Sequence, residues 1–165
     1  MADLSTEDRR RVEAAEGWIE LGLPAEARQE LDAIPAAHRS HPAILEIRWQ
    51  IAAREKNWEL CLELASAVIQ LVPELALGWI HRSYSLHELK QTAEARDNLL
   101  RVVDNFPGEA ILRYNLACYE CQLGHEDQSK QWLRKAFALG DPRKMKAMAL
   151  EDLDLKPLWE AIAEM

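Results

Sequence analysis

Small and apolar residues return along this chain every 34 positions. Ala27, Cys61, Ala95 and Ser129 form one column of small residues. Leu31, Ala65, Leu99 and Leu133 form a second column, and Ile34, Val68, Val102 and Ala136 an apolar third. Leu21, Glu55, Leu89 and Leu123 stand just ahead of a fourth set, Gly22, Lys56, Lys90 and Gly124. Pro73 and Pro107 share a further column with Arg39 and Asp141. The register holds without insertion over four units, roughly 8–41, 42–75, 76–109 and 110–143, and a sustained period of this length marks a repeat architecture.

Inside each unit the spacing predicts two amphipathic helices. In the third, Trp79, Ser83, Leu86 and Leu89 recur at helical spacing, and Lys90-Gln91 breaks the run. Thr92 is expected to cap a second helix that carries Ala95, Leu99 and Val102 on one face, and Pro107 ends the unit. In the first unit Gly22 stops a helix and Pro24 starts the next, while Gly124 marks the break in the fourth.

A helix-turn-helix unit of this length, with a large residue, then small residues, then a closing proline, resembles the tetratricopeptide repeat. The third unit carries the resemblance through Trp79, Ser83, Leu86, Ala95, Leu99, Val102 and Pro107. The fourth does so through Leu116, Ala117, Leu123, Gly124 and Leu133, with Ser129 and Asp141 in place of the usual Ala and Pro. The second keeps Leu45, Trp58, Val68 and Pro73 but puts Trp49 where the family has a small residue. The first keeps Ala15, Trp18, Gly22, Ala27 and Leu31, with Arg11 replacing the opening aromatic. The resemblance implies an all-α fold, a right-handed superhelix of four repeats in a single domain, closed by a C-terminal cap over 144–165.

That tail departs from the period. It predicts a short helix from Pro142 with Asp141 as N-cap, and another near Lys156 to Ala163. Leu155, Leu158, Trp159 and Ile162 give it an apolar stripe, suited to covering the last repeat or to binding a partner or a second copy.

Composition narrows the function. Ala, Leu and Glu outweigh Val and Ile, which favours helix. The net charge of −8 opposes binding to nucleic acid or to an anionic membrane. The N-terminus has no basic stretch followed by an apolar run, so no signal peptide is expected. The three cysteines leave one unpaired in any monomer, and the expectation is a cytoplasmic protein with reduced thiols.

The one Cys-x-x-Cys, Cys118 and Cys121 followed by His125, raises the question of chemistry. A structural zinc needs four ligands, and no second pair closes the set. A redox pair is usually activated at a helix N-terminus, whereas both cysteines are expected mid-helix. Small residues at a helix contact are the simpler reading, with a zinc or thiol-redox protein as the alternative. Cys61, in the small column, is expected in the core. His38 and His41 read as solvated loop histidines with a capping role. There is no Gly-rich phosphate loop, no H-E-x-x-H and no nucleophile elbow, so no catalytic residue, metal or cofactor is expected.

The resemblance further implies a concave groove lined by the first helix of each repeat. Carried onto this chain, its residues are Val12, Glu16, Glu46, Gln50, Ile80, Tyr84, His87, Tyr114, Cys118 and Cys121. The subclass that clamps acidic chaperone tails with Lys, Asn and Arg is rejected, since only Asn115 resembles a clamp residue. The expected function is a non-catalytic scaffold that binds a peptide or helix of a partner protein. A secretion-type chaperone holding an apolar client segment is the alternative within that class, and homo-oligomerisation stays open.

Overall fold

The computed structural model describes residues 4–165, and among them every regular element is helical. Ten α-helices run in order: α1 (Thr6–Glu20), α2 (Pro24–Asp32), α3 (Pro42–Arg54), α4 (Trp58–Leu71), α5 (Ala76–Glu88), α6 (Thr92–Leu100), α7 (Ala110–Gln122), α8 (Glu126–Leu139), α9 (Pro142–Glu151) and α10 (Trp159–Ala163). Short 3-10 helices lie at Ala36–His38, Val103–Asn105 and Leu153–Leu158.

The repeat is visible in the backbone itself. Gly22, Lys56, Lys90 and Gly124 all have positive φ, at 76, 57, 65 and 81°. Each follows the first helix of its pair and closes it with the same two hydrogen bonds. The Gly22 N–H donates to the Ile19 carbonyl and the Leu23 N–H to the Trp18 carbonyl, and this pattern recurs at Lys56, Lys90 and Gly124. A left-handed residue closed by this bond pair is a standard helix stop, and glycine takes it without strain. The two lysines hold the same conformation at a steric cost.

The small and apolar columns are the interior. Ala27, Cys61, Ala95 and Ser129 are all fully buried, and Leu31, Ala65, Leu99 and Leu133 lie at 1% exposure or less. Small side chains at the first set let paired helices approach closely. Ser129 fits its place by donating its hydroxyl to the Ala117 carbonyl at 2.7 Å, so the departure from alanine leaves no unpaired polar atom.

The chain divides into two compact units, Met1–Gly78 and Trp79–Met165. In the first, α1 packs on α2 and α3, and α3 on α2 and α4. Its core joins Val12, Ala15, Ile19, Ala27, Leu31, Ile34, Ile44, Ile47 and Ile51, with Trp18 packed against them. Ser5 caps α1, and its hydroxyl donates to the Asp8 carboxylate at 2.8 Å. The His38 ring meets the same carboxylate at 2.7 Å, so His38 ties its loop to α1 rather than standing in solvent. His41 does cap α3, accepting from the Ala43 N–H.

In the second unit α7 packs on α6 and α8, and α8 on α9. Ser83 on α5 donates its hydroxyl to the Ile80 carbonyl at 2.8 Å. The hydroxyl of Tyr119 on α7, 3.2 Å away, therefore donates to Ser83. Thr92 is the first residue of α6, not its cap; Gln91 holds that place and makes no side-chain capping bond. The Thr92 hydroxyl is turned to His87 instead, at 3.0 Å. α6 ends at Leu100, short of Val102. The Arg113 guanidinium donates to the carbonyls of Val103, Phe106 and Glu109 and braces the turn that follows the break.

The tail begins as the sequence suggests, with Asp141 capping α9. It then turns back: the Leu153–Leu158 3-10 helix packs on α7, and α10 packs on α9. Leu155, Leu158 and Ile162 are buried.

Candidate functional site

α5 carries Ile80, Tyr84 and His87, and α7 carries Tyr114, Cys118 and Cys121, at spacings of three and four that keep each set on one helical face. In the second unit His87, Tyr114 and Cys118 of this face meet the chain's own C-terminal segment, while Ile80 is half-buried and Tyr84 is exposed. The Tyr114 hydroxyl donates to Asp152 Oδ2 at 2.8 Å, and the Cys118 thiol donates to the same oxygen at 3.5 Å. His87 Nε2 lies 3.0 Å from Asp154 Oδ2. Gln122 Nε2 donates to the Asp154 carbonyl at 2.9 Å. Asp152 also caps its own 3-10 helix, accepting from the Asp154 N–H. On its other side, His87 Nδ1 lies 3.0 Å from the Thr92 hydroxyl. The ring stacks obliquely on Tyr119, 5.1 Å between centroids.

Burial sets the chemistry of these groups. It pushes the Cys118 thiol well above its ordinary value, helped by the negative charge of Asp152. Cys121 is raised by burial and by Glu126. Tyr114 is raised by burial, then by Cys118 and the bond to Asp152. Tyr84 is pushed up to about 12 by burial and the neighbouring Glu88. Neither cysteine is a ready thiolate, so the pair lacks the lever of a redox or nucleophilic site. His125 turns away from the thiols to Glu120, at 2.6 Å. Among the described residues no three His, Cys, Asp or Glu side chains converge as metal ligands do.

The candidates in the first unit are placed differently. Val12 sits in the core, 7% exposed, because α2 and α3 close over its side of α1. Glu16 is exposed on α1. Glu46 and Gln50 are half-buried on α3, with Gln50 Nε2 donating to Glu46 Oε1 at 3.1 Å. A separate cleft over α2, α3 and α4 is lined by Leu31, Ile51, Leu60 and Leu64. Its arginines are paired, Arg28 with Glu55 at 2.5 Å and Arg48 with Asp32 at 3.2 Å.

Asp152, Asp154 and Gln122 escaped the sequence reading. Their one local signal is the alternation Asp152-Leu153-Asp154-Leu155 ahead of the apolar stripe, which marks a cap but not its destination. Among the described residues no helix is long and apolar enough to cross a membrane.

No family model matches the chain. No curated protein matches it by sequence. Solved structures do resemble it. One described as "MamA RS-1 ArsTM double mutant" is 14% identical with a TM-score of 0.69, over 85% of this chain and 79% of that one. Another, "MamA MSR-1 C2", is 16% identical with a TM-score of 0.64, over 81% of this chain and 76% of that one. At such identities the likeness establishes the fold alone, an all-α array of tetratricopeptide-like helix-turn-helix repeats.

Proposed function

We propose that this chain is a non-catalytic adaptor that binds a peptide or helix of a partner protein on the faces of its repeats' first helices. The observation that carries the reading is the engagement of the α5 and α7 face by a short segment of polypeptide. A surface that holds a segment of its own chain through side-chain donors and a buried leucine supports reading it as a peptide-binding face. In the second unit the binding residues are Ile80, Tyr84, His87, Tyr114, Cys118 and Cys121. In the first unit Glu16, Glu46 and Gln50 offer a more acidic face. Large tyrosine surfaces with a hydroxyl suit such contacts. The raised thiols argue against catalysis, and the net charge of −8 disfavours nucleic acid.

Tyr84 is the residue on which to test this, being 38% exposed and so replaceable without emptying the core. Wild type and a Tyr84→Glu variant, shown by circular dichroism to be folded, are used to retain partners from the native cell, read by mass spectrometry. The reading expects a protein held by wild type and lost by the variant. A folded variant that holds the same protein places binding elsewhere, and a wild type that holds nothing removes the adaptor reading.

A further inference from the structure

We propose that the α5 and α7 face is a receptor for an acidic–x–acidic–leucine peptide, occupied in cis by Asp152–Leu155 until a partner bearing that pattern displaces the tail. The proposal rests on the adaptor reading and names its ligand.

The seated segment displays the recognition pattern directly. The Asp152 carboxylate accepts from Tyr114 and Cys118 and the Asp154 carboxylate meets His87, while Gln122 donates to the Asp154 backbone carbonyl and holds the segment without reading its side chain. Leu155 is fully buried, while Leu153 between the two acids is 72% exposed. Positions one, three and four are therefore read, and position two is free to vary. The bonding partners are all donors, which selects acceptors at positions one and three. They are also neutral side chains when His87 is uncharged, so the carboxylates are held by oriented hydrogen bonds rather than by Lys or Arg.

A permanent seam has no need of this arrangement. Apolar residues of similar volume close a buried contact at least as well as charged ones, because carboxylates must first be stripped of water. Two carboxylates at the start of a short 3-10 helix, Asp152 as its cap and Asp154 with its side chain still 37% exposed, make a contact whose opened form is well solvated. Tethering to α9 gives the segment a high effective concentration at the face, so a free competitor must bind more tightly than the tail does.

The test uses the full chain and a labelled peptide spanning residues 150–160. An unlatched variant carries Asp152→Ala and Asp154→Ala, and a control peptide carries the same two changes. Binding is read by fluorescence anisotropy, and the site by alkylation of Cys118, which is 4% exposed when the tail is down. The expected result is that unlatching speeds Cys118 alkylation and tightens peptide binding by about tenfold or more. The bound peptide then shields Cys118 again, and the control peptide does neither.

The proposal is overturned if Cys118 stays slow in the unlatched chain, since the carboxylates are then no latch. It is overturned if the peptide fails to restore shielding, or if the control peptide restores it equally. An unlatched chain that doubles its mass without peptide makes the occupant a second copy, and the partner proposal falls. Each of these leaves the adaptor reading intact; only the Tyr84→Glu retention experiment reaches that one.

Discussion

Glu46 and Gln50 on α3 hold the same repeat positions as Tyr114 and Cys118 on α7, two periods of 34 residues later. On α3 the pair is half-buried and bonded to itself. On α7 the phenol and the thiol are 4% exposed and bonded to a segment that lies far along the chain. Six of the 13 residues of α3 are buried and nine of the 13 of α7, so α7 is enclosed nearly all round. Register decides which way a residue faces; what covers that face depends on where the rest of the chain returns.

The sharpest way to break this comparison is Leu155→Ala. It removes a fully buried side chain from the cover of α7 and is expected to cost about 3 kcal/mol in urea denaturation. Gln50→Ala on the α3 face should stay within about 0.5 kcal/mol. Thiol labelling sharpens the same contrast. Burial pushes Cys61 in the first unit up to about 11 and holds Cys118 and Cys121 high in the second. Leu155→Ala is expected to speed labelling of Cys118 and Cys121 and leave Cys61 slow. Equal acceleration of all three would mean that the two units do not respond separately.

Next in size is the bond between α5 and α7. Ser83→Ala leaves the hydroxyl of Tyr119, a residue only 2% exposed, without its acceptor, at about 2 kcal/mol. Adding Tyr119→Phe should recover part of that loss, because both polar partners are then gone. A strictly additive double mutant would contradict the pairing.

The four left-handed turns give a smaller test. Gly124→Ala should destabilise by about 1 kcal/mol, and Lys90→Gly should gain up to about 1 kcal/mol by relieving the strained lysine. Thermal unfolding reads both, and shifts of the same sign would refute the shared geometry.

Asp8 supplies the smallest effect, in the first unit. The Ser5 hydroxyl, aided by His38, holds its carboxyl below the ordinary value of 3.8. A depressed carboxylate adds stability that is complete above 3.8 and is lost as pH falls through the lower folded-state value. Asp8→Asn should therefore flatten the acid limb of stability against pH below 3.8 and leave the neutral limb unchanged in slope. An unaltered acid limb would remove Asp8 from the account.

Much of this was readable in the residues. The column Gly22, Lys56, Lys90 and Gly124 was visible as a repeat of breaks, and each break is a left-handed helix stop. The small column was readable because close helix contact admits only small side chains. The caps at His41 and Asp141 were readable because capping is a local interaction. Thr92 misled for the same reason: its hydroxyl satisfies local capping rules, yet His87 lies within reach and takes it. The pairing of His38 with Asp8 spans 30 residues and has no local mark.

The sequence by itself determined the helices, their period and the small, apolar and turn positions of each repeat. Those depend on side-chain size, backbone conformation and neighbours within a few residues. Only the tertiary structure decided that Tyr114 and Cys118 are buried beneath the tail while Glu46 and Gln50 are half-buried. That outcome depends on a tail whose apolar stripe could bury itself on any matching face. It packs on α7, where Tyr114 and Cys118 bond Asp152, His87 on α5 meets Asp154, and Gln122 donates to the Asp154 backbone carbonyl.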